Sequence, residues 1–185
     1  MRQVLDFNQG RDLAAYMKLA SVSSGGVCAA CSIYYLLEVS EGREFGPWIN
    51  SIANKAKVVN VHAGAKDPDI YMAKIYNIMN TKFRRRGTLQ GWVHQLFLAI
   101  TVPPELATLR WVAFTSPRRL FFPSVGHAVA VARTEDSLRF FDPNYGEWEF
   151  EDLKEWYPWI GGFFRQHYHD RFYDGTIEVQ YLDPR

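Results

Sequence analysis

Residues 126–143 read G-H-A-V-A-V-A-R-T-E-D-S-L-R-F-F-D-P, and the alternation in this stretch decides the architecture. His127, Val129 and Val131 fall on one face of a strand and Ala128, Ala130 and Ala132 on the other, because successive side chains of an extended chain point to opposite sides. The run Leu138 to Asp142 puts Leu138, Phe140 and Asp142 on a common face. Between the two runs, Thr134-Glu135-Asp136-Ser137 is turn chemistry. With a two- or four-residue loop, His127 pairs with Asp142 or Asn144, and in both cases it shares a face with Asp142; a three-residue loop would separate them. Directly opposed residues have Cβ atoms about 4.5–5.5 Å apart, within reach of an imidazole–carboxylate hydrogen bond. Asp142 also opens D-P-N-Y-G, a turn signal that holds a polar side chain at the sheet margin.

Working outward, the pattern changes near residue 103. Upstream, helical patterns are expected at residues 27–39, 47–56, 67–82 with Pro68 early in the helix, and 89–100 ending before Pro103-Pro104. Downstream, strands are expected at 110–115, 127–133, 138–142, 148–150 and 177–182, with a short helix at 151–157 ended by Pro158 and Gly161-Gly162. Helices followed by an antiparallel sheet make an α+β fold, the helices packed on the sheet. The 185 residues, 48% hydrophobic with 13 Gly and 9 Pro, suit one domain over residues 1–185 and exclude collagen-like and disordered classes. A net charge of +1 offers no footprint for nucleic acid. The run Arg84-Arg85-Arg86 reads as a solvated helix end. No stretch is apolar enough for a Sec signal or a membrane span.

The chain has two cysteines, too few for a disulfide framework or a cysteine-only zinc site, so any role they have is chemical. In S-S-G-G-V-C-A-A-C-S-I-Y-Y-L-L, Ser23, Ser24, Gly25 and Gly26 can cap a helix and leave its start open. Cys28 then falls in the first turn, where unpaired backbone N–H groups and the positive end of the helix dipole stabilise negative charge. Cys31 lies one turn deeper and reads as packing. A nucleophilic cysteine needs a base and an orienting acid, and His127 with Asp142 meets that need: Asp142 would fix the ring and tautomer of His127, and His127 would deprotonate Cys28 and later protonate the leaving group. A Cys-x-x-Cys redox pair is the competing use, although Ala29-Ala30 and the lack of a preceding strand fit it poorly. His62 lies in a loop-like stretch and His94 in a helix beside Trp92. His167 and His169 could share a strand face as a metal half-site, but no further ligand is evident by spacing, so no metal or other cofactor is expected.

The segments G-G-V-C-A-A-C-S-I-Y-Y-L, G-H-A-V-A-V and F-F-D-P-N-Y-G-E-W together resemble the YopT/AvrPphB family of bacterial effector cysteine proteases, a branch of the papain-like fold. The resemblance implies Cys28 as nucleophile, His127 as base and Asp142 as orienting acid, with a helical half carrying the cysteine and a sheet carrying the other two. Papain-like enzymes place an amide side chain five or six residues before the cysteine to complete the oxyanion hole. Here Val22 and Ser23 occupy those positions, which leaves Ser23, Ser24 or the more distant Asn8 or Gln9 as donors.

The expected function is therefore a cysteine endopeptidase acting on a protein in a target cell, exported by a non-Sec route with a chaperone or secretion machine as a further partner. Glutamine deamidation on the same triad, thiol–disulfide exchange, and a non-enzymatic interaction module built on the aromatics of W-E-F-E-D-L-K-E-W-Y-P-W stay open at this level.

Overall fold

A computed structural model describes residues 1–22, 27–63, 67–94, 103–105, 108–117 and 126–185. In chain order they form β1 (Arg2–Leu5), α1 (Gln9–Asp12), α2 (Ala14–Leu19), α3 (Cys28–Ser40), α4 (Phe45–Ile49), α5 (Ile52–His62), α6 (Pro68–Lys82), β2 (Phe83–Trp92), β3 (Leu109–Thr115), β4 (Gly126–Arg133), β5 (Leu138–Asp142), β6 (Gly146–Phe150), α7 (Leu153–His167), α8 (His169–Phe172) and β7 (Thr176–Pro184). The strands make a seven-stranded antiparallel sheet in the order β1-β6-β5-β4-β3-β7-β2. This is the α+β arrangement of helices on an antiparallel sheet that the sequence indicates.

The alternation in β4 and β5 separates two cores. Ala128, Ala130, Ala132 and Phe141 point to the face packed by α3 with residues of α4, α5 and α6. Val129, Val131, Leu138 and Phe140 point to the opposite face, covered by Trp156, Ile160, Phe163 and Phe164 of α7. Every residue of α3 from Cys28 to Val39 is buried, as expected of a helix that is largely apolar all round, and its one charged residue in that stretch, Glu38, is paired with Arg43. Small alanines on β4 let this helix come close, and Ser32 Oγ donates to the Ala128 carbonyl at 3.0 Å. Trp111 Nε1 from β3 donates to the Ala29 carbonyl at 3.3 Å. These two bonds fix the start of α3 relative to β3 and β4.

Several elements depart from expectation. Residues 47–56 are not one helix: α4 ends at Ile49 and α5 begins at Ile52, with Ser51 capping α5 through the Asn54 N–H. Leu89 to Trp92 belong to β2 rather than to a helix, and residues 95–100 of that expected helix lie outside the described residues. Strand β2 pairs with β7 from Phe83↔Pro184 to Trp92↔Thr176, and this long-range ladder overrides the local helical pattern. Arg84, Arg85 and Arg86 are accordingly exposed residues of a strand and not a helix end. The helix expected at 151–157 continues through Pro158 and Gly161-Gly162 to His167. Burial of Trp156, Ile160, Phe163 and Phe164 on the sheet outweighs a proline cost of about 3 kcal/mol and roughly 1 kcal/mol per glycine. Strand β1 has three exposed residues among its four, so no burial alternation announces it.

Candidate active site

Cys28 is the first residue of α3. Val27 occupies the N-cap position with no side-chain cap bond, rather than one of the expected small residues; Ser23, Ser24, Gly25 and Gly26 lie outside the described residues. Cys28 is 5% exposed and sits beside the orphan N–H groups that begin any helix. One of these is satisfied from elsewhere: the Ala30 N–H donates to Tyr71 Oη of α6 at 3.1 Å. Burial, and next the neighbouring Cys28, push the Tyr71 hydroxyl well above its ordinary range, so the phenol stays a neutral wall at the helix start.

The hairpin of β4 and β5 brings in the other two residues. Ala130 pairs with Phe141 and Arg133 with Leu138, the four-residue-loop register, with Thr134 N–H bonded to the Ser137 carbonyl at 2.9 Å. Parity therefore puts His127 and Asp142 on one face, and His127 Nε2 lies 3.0 Å from Asp142 Oδ1. The Asp142 side chain is fully buried. His127 is near the end of β4, so its ring reaches past the sheet margin, and the Cys28 side chain lies within hydrogen-bonding reach of it. With Nε2 turned to Asp142, Nδ1 is the nitrogen left for the thiol.

Burial works against a charged His127, but the Asp142 charge and hydrogen bond, with a smaller contribution from Cys28, raise it from the ordinary 6.5 to about 10. The imidazolium is therefore favoured in the fold at neutral pH. A group whose folded value is raised stabilises fully below its unfolded value and loses that contribution as pH climbs through the folded one. Thermal stability is expected to decline between pH 6.5 and about 10. In His127→Gln that decline flattens, as melting curves across the interval would show.

Two residues of the site, Tyr168 and Asn144, are not indicated as such by the sequence. Tyr168, between α7 and α8, donates through Oη to Asp142 Oδ2 at 2.5 Å, and the same oxygen lies 3.0 Å from His127 Nε2. In sequence Tyr168 stands within H-Y-H-D, where nothing local distinguishes a buried tyrosine from its flanking histidines. Asn144 donates its backbone N–H to Asp142 Oδ1 at 2.8 Å. Gln9 Nε2 donates to Asn144 Oδ1 at 2.7 Å, and Asn8 Nδ2 to the Asn144 carbonyl at 2.7 Å. Asn8 and Gln9, considered above as oxyanion donors, thus engage the turn that carries Asp142.

The remaining histidines stand apart. His62 ends α5, not a loop, and its ring packs on Tyr71 at 4.6 Å. His94 bonds the Tyr173 carbonyl at 3.4 Å. His167 and His169 terminate one helix and open the next, not one strand face; His167 packs on Tyr145 at 4.3 Å and His169 bonds Asp170 at 3.1 Å. Among the described residues no three His, Cys, Asp or Glu side chains are grouped to hold a metal ion. A cavity of about 400 Å³ lies elsewhere, lined by Arg2, Gln3, Glu44, Arg139, Glu147 and Glu149 among others. There Arg2 and Arg139 both pair with Glu149, and Arg139 also with Glu147, so its charges are largely spent on one another.

Residues 120–178 match the peptidase family described as Yersinia/Haemophilus virulence surface antigen; that span contains His127 and Asp142 and not Cys28. A solved structure of the Pseudomonas avirulence protein AvrPphB superposes with a TM-score of 0.57 at 16% identity, covering 84% of this chain and 90% of that one. The family match covers the hairpin that carries His127 and Asp142, and the structural likeness extends over most of the chain. The cysteine protease-like domain of the Photorhabdus asymbiotica toxin PaTox aligns at 16% identity over 95% of this chain and 59% of its own length, with a TM-score of 0.41. No curated protein sequence matches. The protein thus has the papain-like, α+β fold of AvrPphB. Among the described residues, no helix is long and apolar enough to cross a membrane.

Proposed function

We propose that the chain is a cysteine endopeptidase of the YopT/AvrPphB type, delivered by a bacterium to act on a protein in another cell. The observation that carries this reading is the buried His127–Asp142 hydrogen bond with Cys28, the first residue of a buried helix, beside the same imidazole. In this reading the Cys28 thiolate attacks the scissile carbonyl carbon, and the developing oxyanion is held by the Cys28 backbone N–H with Ser23 or Ser24. The C–N bond breaks as the His127 imidazolium protonates the departing amine. Water, deprotonated by His127, then hydrolyses the thioester and returns the thiol. Asp142 keeps the ring oriented and supports its positive charge without giving up its own.

Cys31 weighs against dithiol exchange. It is fully buried, and burial, followed by the neighbouring Cys28, pushes its thiol well above the ordinary range, whereas exchange needs an accessible thiolate.

The test is a comparison of target-cell proteins treated with the wild type and with Cys28→Ala, scored by mass spectrometry for new protein termini. An endopeptidase yields termini that appear only with the wild type. Glutamine-to-glutamate conversion without new termini would replace this reading by deamidation on the same triad.

A further inference from the structure

We propose that Tyr168 is a positioning residue, whose hydroxyl locks the Asp142 carboxylate and the His127 ring into one unit and selects the histidine tautomer that faces Cys28. The proposal rests on the reading of Cys28 and His127 as nucleophile and base. Its geometry is a closed set of contacts: Tyr168 Oη to Asp142 Oδ2 at 2.5 Å, Tyr168 Oη to His127 Nε2 at 3.0 Å, and His127 Nε2 to Asp142 Oδ1 at 3.0 Å. Asp142 Oδ1 also accepts the Asn144 N–H at 2.8 Å, so both carboxylate oxygens are held and the group cannot turn without breaking a bond.

The hydrogen accounting follows from what each atom can give. An ionised carboxylate only accepts, so the tyrosine O–H proton is spent on Oδ2. His127 Nε2 then faces two oxygens, Asp142 Oδ1 and Tyr168 Oη, neither with a proton to offer it. Nε2 must carry its own N–H, and the ring nitrogen that exchanges a proton with the thiol is Nδ1. The turn beside the hydroxyl is itself fixed: Gln9 Nε2 holds Asn144 Oδ1 and Asn8 Nδ2 holds the Asn144 carbonyl. The tyrosine ring lies against the imidazole, 5.0 Å between centroids at 23°, and excludes water from that side. It packs in turn on Phe114, Phe164 and Phe172, which ties the triad to the helices behind the sheet.

The hydroxyl also tempers the carboxylate. A donor on Oδ2 draws off part of the negative charge that supports the imidazolium, so removing it leaves Asp142 holding that charge more strongly. Among the described residues the titratable groups facing this unit are Cys28 from α3, Asp142 at the end of β5, Tyr145 from the following turn, and Tyr168 with His167 from the end of α7.

Tyr168→Phe deletes the hydroxyl and keeps the ring. Two measurements are made on the full chain: the His127 titration midpoint from its ring ¹⁵N resonances, and the rate of Cys28 alkylation by iodoacetamide. The expected result is a His127 midpoint raised by about half a pH unit or more in Tyr168→Phe, while His127→Ala slows alkylation at neutral pH at least about tenfold. A folded Tyr168→Phe with an unchanged or lowered midpoint overturns the positioning role and leaves the nucleophile–base reading standing. Alkylation insensitive to His127→Ala sinks that underlying reading instead. The wild-type protein gives an independent check should the variant not fold. A slowly exchanging, downfield Tyr168 hydroxyl proton that Asp142→Asn removes supports the lock, and its absence from the wild type overturns it.

Discussion

Cys28→Ala is expected to reduce hydrolysis by at least about 10⁴-fold, the scale on which removing a nucleophile acts when the members of a triad work as a unit. Cys31→Ala, one turn along the same helix, is expected to leave the rate within about threefold of wild type and to cost about 1–2 kcal/mol of stability. The two cysteines differ in surroundings rather than in sequence distance. Cys28 sits at the helix start within reach of His127, whereas Cys31 is closed off inside the core formed by α3 and the alanine face of β4. Adding His127→Ala to Cys28→Ala should lower the rate little further, because the second group has nothing left to activate. A rate assay on all three variants checks both statements, and a Cys31→Ala protein that folded and lost activity with Cys28 intact would reverse the assignment.

Gly146→Ala is expected to cost about 3 kcal/mol or more, because two penalties coincide. Gly146 has φ +104°, a region side chains avoid, and a Cβ there would overlap the Leu5 carbonyl of the neighbouring strand. The residue closes the turn that Asp142 opens and pairs with it across that turn, so displacement would also disturb the carboxylate and lower activity. For a chain of this length the loss corresponds to a melting temperature lower by roughly 6–12 °C. Gly161→Ala in α7 is the control: nothing lies within 4 Å of a Cβ placed there, and alanine in a helix interior is favoured by up to about 1 kcal/mol. Thermal denaturation of the two variants side by side distinguishes a steric demand from a general intolerance of substitution.

Period-two alternation in β4 and β5 makes the hairpin legible, and an even loop puts His127 and Asp142 on one face; the four-residue loop of the structure meets that condition. The small residues ahead of an apolar helical run likewise pointed to Cys28. What stayed hidden depends on partners distant in sequence. Strand β2 exists because β7 offers it a full-length ladder, so Leu89 to Trp92 follow a neighbour some ninety residues away rather than their own periodicity. Helix α7 outlasts its proline and glycines because a sheet face receives Trp156, Ile160, Phe163 and Phe164. Tyr168 follows the same logic at the site. A tyrosine beside two histidines carries no local sign that its hydroxyl will meet a carboxylate twenty-six residues earlier. Gln9 reads as a distant candidate for the oxyanion hole, and its amide instead bonds the turn that follows Asp142.

The central claim is that Cys28 is the one activated thiol and that His127 activates it. Its most direct test treats the native protein with iodoacetamide at neutral pH and follows the modified peptides by mass spectrometry, in wild type and in His127→Ala. Selective modification of Cys28, with Cys31 unmodified in the folded protein and the Cys28 rate falling at least about tenfold in His127→Ala, is the predicted result. Equal labelling of both cysteines, or a Cys28 rate indifferent to His127, would contradict it.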